Sequence, residues 1–516
     1  MPVPHARAAA LLAVLVLVLS GCGLVSDGSS EPEPTLNPSP VESTGSEPTE
    51  ATTASLSKFY RQKLTWKPCR DEEQCARVTV PLDYAEPAGR TIQLSVLKVP
   101  AVNKSRRVGS LLVNPGGPGA SGVDFAASAS GYFGRELREV FDIVGFDPRG
   151  VGRSTPLDCV SDRQLDTLIE SDPDPDTRAE IRYSDGLLRA LGQGCLRRSG
   201  DLARHMSTLE VAKDLDILRG VLGDRKLVYF GASYGTFIGA TYADLYPTRV
   251  GRMVLDGALD PSLSTIELNL VQARGFERAL RAYVGACVDR GDCFLGSTVD
   301  EGTARIRSFL DEVEAEPLET SDRTLTAGTA VYGIWQTLYS KSYWSLLDTG
   351  LQRAFGGDGS VLLALADAYT ERGPRGAYLS NSLEVLYAVN CLDHDDPIPS
   401  SQVKRYVPRF EKASPTFGAS FAYTLSGCST WPIHTGRVPQ PVHASGAPPI
   451  LVVGTTRDPA TPLTWARALA SQLDSGILVK RDGDGHTGYQ SGNSCVDTTV
   501  EAYLVSGKVP PGQVDC

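Results

Sequence analysis

The sequence predicts an α/β fold: a mainly parallel sheet with helices on both faces and a large helical insertion before its last strands. Three observations lead there. Short apolar runs at 110–113, 142–146, 227–230, 253–255, 450–453 and 477–479 end in Gly, Pro or Asp, as buried strands leading into loops do. Helical stretches such as 209–222 and 236–246 separate most of these runs, an alternation that builds parallel sheets. Between about 262 and 440 the strand signal fades and helical stretches such as 268–284 and 304–314 take over. Such an insertion is most simply a cap over the strand C-terminal ends, where open α/β sheets bind ligands. Ahead of the parallel strands, 76–80 and 91–99 read as an antiparallel edge joined by a turn around Pro81-Leu82-Asp83-Tyr84 and Ala88-Gly89.

The N-terminus sets the compartment. Arg7 precedes an uncharged apolar run at 8–19, too short to span a bilayer and right for an export signal. The run ends in Leu19-Ser20-Gly21-Cys22, small residues before a cysteine as in a bacterial lipobox. Residues 1–21 are therefore expected to be removed, with Cys22 carrying a diacylglycerol thioether and further acylation giving a stable anchor. Residues 22–57 read as a disordered tether. From 23 to 57 the chain holds Asp27, Glu31, Glu33, Glu42, Glu47 and Glu50, five prolines and no Lys or Arg.

The formal charge of the 516 residues is −11. With the tether acids and Arg7 set aside, 49 bases stand against 55 acids. That balance argues against a nucleic-acid binder, which would show a basic face. The expected organisation is 58–261 as the first part of the core, 262–440 as the helical cap, and 441–516 as the rest of the core.

The strongest chemical signal is Gly231-Ala232-Ser233-Tyr234-Gly235, directly after an apolar strand and before a helix. This is G-x-S-x-G in strand–turn–helix context, a nucleophile elbow that lifts the Ser233 hydroxyl above the sheet. A serine needs a base, and the base needs an acid to hold it. Asp458 follows the strand at 450–453 in a proline-stiffened loop, and His486 lies in a Gly-rich loop 28 residues later. Among the six histidines only His486 comes after Asp458, and Ser–Asp–His is the chain order of this kind of site. Asp482 and Asp484 are rival acids too near His486 on its own loop; Asp256 is a rival better suited to bracing a loop. Thr461 either bonds the Asp458 loop or caps the helix after Pro462. For the oxyanion, the loop Asn114-Pro115-Gly116-Gly117-Pro118-Gly119 brings bare backbone close to a substrate. The N–H groups of Gly117 and Tyr234 are the expected donors, with Gly116 the nearest competitor. A P-loop is excluded because no Gly-Lys-Ser/Thr follows.

These motifs, with 145–154 (Gly-Phe-Asp-Pro-Arg-Gly-Val-Gly-Arg-Ser), 254–257 and 454–462, resemble the secreted tripeptidyl aminopeptidases of actinobacteria, α/β-hydrolases related to prolyl aminopeptidases. The likeness spans 65–516 in the family's order. Pro115 stands where prolyl aminopeptidases usually have His, as in the tripeptidyl branch. The resemblance implies a serine exopeptidase acting on peptides or proteins with free N-termini, needing no metal or organic cofactor. An aminopeptidase must hold a substrate ammonium, and the cap offers Asp393, Asp395 and Asp396; Asp393 is the guess for that role. A carboxylesterase or lipase would use the same triad, and a non-catalytic envelope binding protein is the rival of another class.

The eleven cysteines fit this reading. With Cys22 assigned to lipid, neighbours in order give Cys69–Cys75, Cys159–Cys195, Cys287–Cys293, Cys391–Cys428 and Cys495–Cys516. No thiol then stays free in an oxidising compartment, although sequence alone leaves the connectivity open.

Overall fold

The computed structural model describes residues 36–41, 54–70, 72–321 and 323–516, so the expected export signal, Cys22 and most of the expected tether lie outside it. Twelve strands are described: β1 Lys67–Arg70, β2 Glu73–Pro81, β3 Thr91–Val99, β4 Gly109–Asn114, β5 Phe141–Phe146, β6 Leu227–Ala232, β7 Val250–Asp256, β8 Leu318–Glu319, β9 Thr324–Leu325, β10 Ile450–Arg457, β11 Gly476–Asp484 and β12 Val514–Asp515. Ten of them form one sheet in the order β1-β2-β3-β5-β4-β6-β7-β10-β11-β12. The β1–β2, β2–β3 and β3–β5 pairs are antiparallel, and all pairs from β5 to β12 are parallel. This is the α/β-hydrolase architecture with an antiparallel edge.

Strands β4, β5, β6 and β7 are buried along their whole length, which is why their sequences run apolar without alternation. Side chains still alternate between faces. Leu112, Val144, Tyr229, Leu255 and Val452 join the core under the helices Thr208–Val221 and Tyr234–Leu245. Their neighbours Leu111, Ile143, Phe230, Val254 and Val453 join the opposite core, against the helix Ser494–Ser506.

Among its described residues the region between β7 and β10 is helical, with only the two-residue strands β8 and β9, and it has its own apolar cluster. Leu280, Ile306, Ile334, Trp335, Leu347, Phe410 and Phe421 are central to it. Helices ahead of residue 261 join this layer as well. The helices Asp162–Ile169 and Arg178–Ser199, between β5 and β6, also pack onto this helical layer. Ile181 lies against its apolar cluster. Arg372 grips Asp166 through two bonds of 2.7 and 3.1 Å. A Cβ on Gly328 would come within 2.5 Å of the Ile169 and Ser171 carbonyl oxygens. The roof is therefore assembled from two insertions. The first gave no separate signal because it flows into the core helix Thr208–Val221.

Part of the expected tether is also seated. Ser39 N–H donates to the Val505 carbonyl at 3.1 Å, and Arg252 Nη2 donates to the Ser39 carbonyl at 2.8 Å. Leu36 and Val41 pack against the core beside them. Two apolar side chains and one serine suffice to dock six residues inside a stretch whose composition reads as unfolded.

The cysteines pair in sequence order: Cys69–Cys75, Cys159–Cys195, Cys287–Cys293, Cys391–Cys428 and Cys495–Cys516. Cys391–Cys428 closes a separation of 37 residues inside the cap. Replacing both by serine is expected to lower unfolding stability by about 4 kcal/mol through the freed loop entropy. Denaturant unfolding, with the midpoint compared at equal slope, measures this.

Candidate active site

Ser233 sits at the C-terminal end of β6 with φ 53° and ψ −127°, a left-handed conformation that a non-glycine residue adopts only where its surroundings impose it. They do so here. Ser233 N–H donates to the Asp256 carbonyl at 2.8 Å, and its own carbonyl accepts from Thr236 N–H at 2.8 Å and Thr236 Oγ1 at 2.6 Å. The flanking glycines are steric requirements. A Cβ on Gly231 would meet the Gly235 carbonyl oxygen at 2.4 Å, and one on Gly235 would meet the Asn114 carbonyl oxygen at 2.7 Å.

Asp458, fully buried just past β10, is saturated as an acceptor. It takes N–H bonds from Ala460 at 2.9 Å, Thr461 at 2.8 Å and Thr487 at 3.0 Å, and a hydroxyl bond from Thr461 Oγ1 at 3.0 Å. His486 Nδ1 lies 3.0 Å from each of its carboxylate oxygens and 3.2 Å from Thr461 Oγ1. That geometry assigns the proton to Nδ1. Nε2 is buried and has no hydrogen-bond partner among the described residues, Ser233 included. Burial alone would lower the His486 pKa; the Asp458 charge and hydrogen bond, with Asp256 behind them, outweigh it and leave the imidazole above its ordinary value.

The roof reaches this histidine. His486 N–H donates to the Tyr339 carbonyl at 2.8 Å, and the Tyr339 ring meets the imidazole edge-on at 5.2 Å. Nothing in the motifs pointed to Tyr339, which stands just after the cap helix Ala327–Leu338. Beneath, Asp256 accepts N–H bonds from Gly488 at 2.7 Å and Tyr489 at 2.9 Å, so it braces the histidine loop, and burial pushes it up to about 6. Gly257 packs between the two halves of the site: a Cβ there would lie 3.3 Å from His486 Cε1 and 3.0 Å from Thr461 Oγ1. Asp482 and Asp484 turn to Arg457, at 3.0 and 2.5 Å.

The Gly-rich loop after β4 lies against the elbow. A Cβ on Gly116 would stand 2.8 Å from Tyr234 N and 2.9 Å from Ser233 Cβ. Gly116 N–H is already taken by Asn114 Oδ1 at 2.9 Å. Gly117 N–H donates to no described residue, and Tyr234 N–H opens its helix, where no intrahelical acceptor exists. Of the two glycines that the sequence left in competition, Gly117 thus keeps a free donor.

Asp393 is not in open contact with the site. Its carboxylate takes Thr208 N–H at 3.0 Å and Thr208 Oγ1 at 2.5 Å, and Arg437 Nη1 lies 3.7 Å away. Thr208 Oγ1 in turn lies 2.6 Å from the Tyr234 hydroxyl, so a short polar chain links Asp393 to the residue after Ser233. Burial, partly offset by Thr208 and Arg437, pushes Asp393 up to about 6. Asp395 bonds His434 and Asp396 bonds Thr265. The 145–154 motif is architectural. Arg149, fully buried, grips Asp214 through two bonds of 2.8 Å and three backbone carbonyls around them.

A family profile described as "TAP-like protein" matches residues 414–516. Full-length relatives reach across nearly the whole chain. Serine protease Hip1 of Mycobacterium tuberculosis is 36% identical over 479 residues, covering 88% of this chain and 91% of that protein. Carboxylesterase B of the same organism is 37% identical, covering 88% and 89%. Tripeptidyl aminopeptidase of Streptomyces lividans is 31% identical, covering 90% and 88%. On identities above 30% across about nine-tenths of each chain, the protein belongs to the tripeptidyl-aminopeptidase-like family of α/β-hydrolases.

Proposed function

We propose that the protein is a serine aminopeptidase that releases tripeptides or other short peptides from free N-termini. The observation that carries this reading is His486, clamped by Asp458 through Nδ1, with its Nε2 unengaged at the strand ends where the Ser233 elbow opens beneath a helical roof. His486 Nε2 takes the Ser233 proton as Oγ attacks the scissile carbonyl. The oxyanion rests on the Gly117 and Tyr234 N–H groups. His486 then protonates the leaving amine, and water hydrolyses the acyl-enzyme by the reverse proton path. Asp458 holds the imidazole and stabilises its positive charge. The step needs no metal or organic cofactor.

The helical layer at 262–440 acts as a cap that limits how many residues fit. Asp393 takes the substrate ammonium. The support is the Thr208 hydroxyl that links its carboxylate to the Tyr234 hydroxyl, and the ammonium must open the Thr208 contacts that now close Asp393 off from the site. Cys22 carries lipid and holds the enzyme on the outer face of the cell membrane, by anchor alone, until any release. No described helix is long and apolar enough to cross a membrane.

Steady-state rates on a free tripeptidyl chromophore, its N-acetylated form and a short-chain ester test the reading. The free tripeptide should be cleaved fastest, and Asp393→Asn should raise its KM more than it changes turnover of the ester. Faster cleavage of the ester or of the blocked peptide would move the assignment to a carboxylesterase or an endopeptidase. The first of these is the rival that the 37% relative keeps in view.

A pH profile follows from His486. Only the neutral imidazole accepts the serine proton, so kcat/KM falls as pH drops through its pKa. Because Asp458 outweighs burial and holds that pKa above its ordinary value of about 6.5, the half-point should lie above it. A half-point well below that value contradicts the electrostatics described here.

A further inference from the structure

Building on the triad of Ser233, Asp458 and His486 proposed above, we propose that Tyr339 of the roof is a positioning residue: it fixes the plane of the His486 imidazole and so the direction of Nε2. Asp458 holds only one end of that ring. Both of its oxygens lie 3.0 Å from Nδ1, and a ring held at one nitrogen can still pivot about that contact. Nε2 has no hydrogen-bond partner among the described residues to stop it.

Tyr339 supplies the second hold in two ways. It stands one residue past the helix Ala327–Leu338, where the last carbonyls of a helix lack intrahelical donors, and its carbonyl takes the His486 N–H at 2.8 Å. Its ring meets the imidazole with 5.2 Å between centroids and 81° between planes. Such an edge-to-face contact favours one mutual orientation of the rings. The histidine loop is built for this approach. Gly485 has φ 96°, and a Cβ there would lie 2.9 Å from the Tyr339 carbonyl oxygen.

Tyr339 is itself wedged in place. Its ring lies 6.0 Å from Phe276 on the helix Thr265–Asp289 and 6.1 Å from Tyr369 on the helix Ser360–Thr370, edge to face with both. The helix that carries Phe276 also grips the acid loop. Gln272 Nε2 donates to the Ala460 carbonyl at 2.8 Å, and a Cβ on Gly275 would come within 2.4 Å of the Pro459 carbonyl oxygen. Acid and base are thus held to one roof, Asp458 through the backbone at 459–460 and His486 through Tyr339. Tyr339 needs no contact with the substrate for this, because it acts through the imidazole.

The test compares Tyr339→Phe, Tyr339→Leu and Tyr339→Ala in the full chain. It reads steady-state turnover of the free tripeptidyl chromophore and the second-order rate of fluorophosphonate labelling at Ser233. Labelling needs the base but no peptide subsite, so it reports the orientation of His486 even if the substrate proves to be an ester. Tyr339→Phe keeps the flat ring and should keep the wild-type kcat and labelling rate. Tyr339→Leu and Tyr339→Ala should lower both together by up to about 10²-fold at little changed KM, the scale at which a small misplacement of a reacting group is felt. Leucine leaves less of a gap than alanine, so its variant carries the test if Tyr339→Ala does not fold; circular dichroism and Tm check each. The proposal is overturned by a wild-type labelling rate in folded Tyr339→Leu or Tyr339→Ala, by a raised KM at unchanged kcat, by an equal loss in Tyr339→Phe, or by a loss confined to variants that have unfolded. A wild type that takes no label overturns the triad itself, and this role with it.

Discussion

Ser233→Ala should lower kcat by about 10⁶-fold, the scale seen when a serine hydrolase loses its nucleophile. The residual rate would come from the oxyanion donors and substrate binding alone. The fold should be unaffected: Ser233 is held in its left-handed conformation by backbone bonds to Asp256 and Thr236, and an alanine keeps the backbone part of them. Fluorophosphonate labelling, present in the wild type, should vanish in the variant while its Tm stays within a few degrees. A wild type that takes no label would remove the enzyme reading altogether and favour a binding protein. Label retained by Ser233→Ala would place the nucleophile elsewhere.

The second large effect is expected at Asp458. Asp458→Asn removes the charge that holds Nδ1–H and offers an N–H where His486 needs an acceptor. The imidazole then favours the wrong tautomer, and kcat should fall by about 10⁴-fold. Asp458 also receives N–H bonds from Ala460, Thr461 and Thr487, so the loop should loosen as well. The pH profile tells the two effects apart. Without Asp458, the largest factor raising the His486 pKa is lost, and the residual activity should titrate at lower pH than in the wild type. Loop damage alone would lower the rate without moving the half-point. A variant within about tenfold of wild type would make Asp256 the working acid, since its carboxylate is the next charge acting on His486.

The sheet and the Asp458–His486 contact were legible because their signals are local. Strands β4, β5, β6, β7 and β10 are each built on one apolar run, and Ser233, Asp458 and His486 each lie within two residues of a strand end. The rest depends on contacts between distant segments. Whether Gly116 or Gly117 keeps a free donor turns on where Asn114 points its side-chain oxygen. Tyr339 touches His486 only because the roof folds back across 147 residues of chain to reach it. The first insertion looks like core in sequence, since its helices are amphipathic and lie beside true core helices. Its allegiance shows only in pairs such as Arg372–Asp166. Residues 36–41 were hidden by the composition of their surroundings, and Leu36 and Val41 show that a few apolar atoms can decide docking.

The central claim joins a residue to a product, and one measurement reads both. A long peptide with a free N-terminus is turned over by the full chain, quenched in acid within the first turnovers, and the protein is mapped by mass spectrometry. The account predicts an adduct on Ser233 with the mass of the first three residues of the substrate, absent when that N-terminus is acetylated. An adduct of a long N-terminal fragment, an adduct formed equally from the acetylated peptide, or one on any other residue would contradict it.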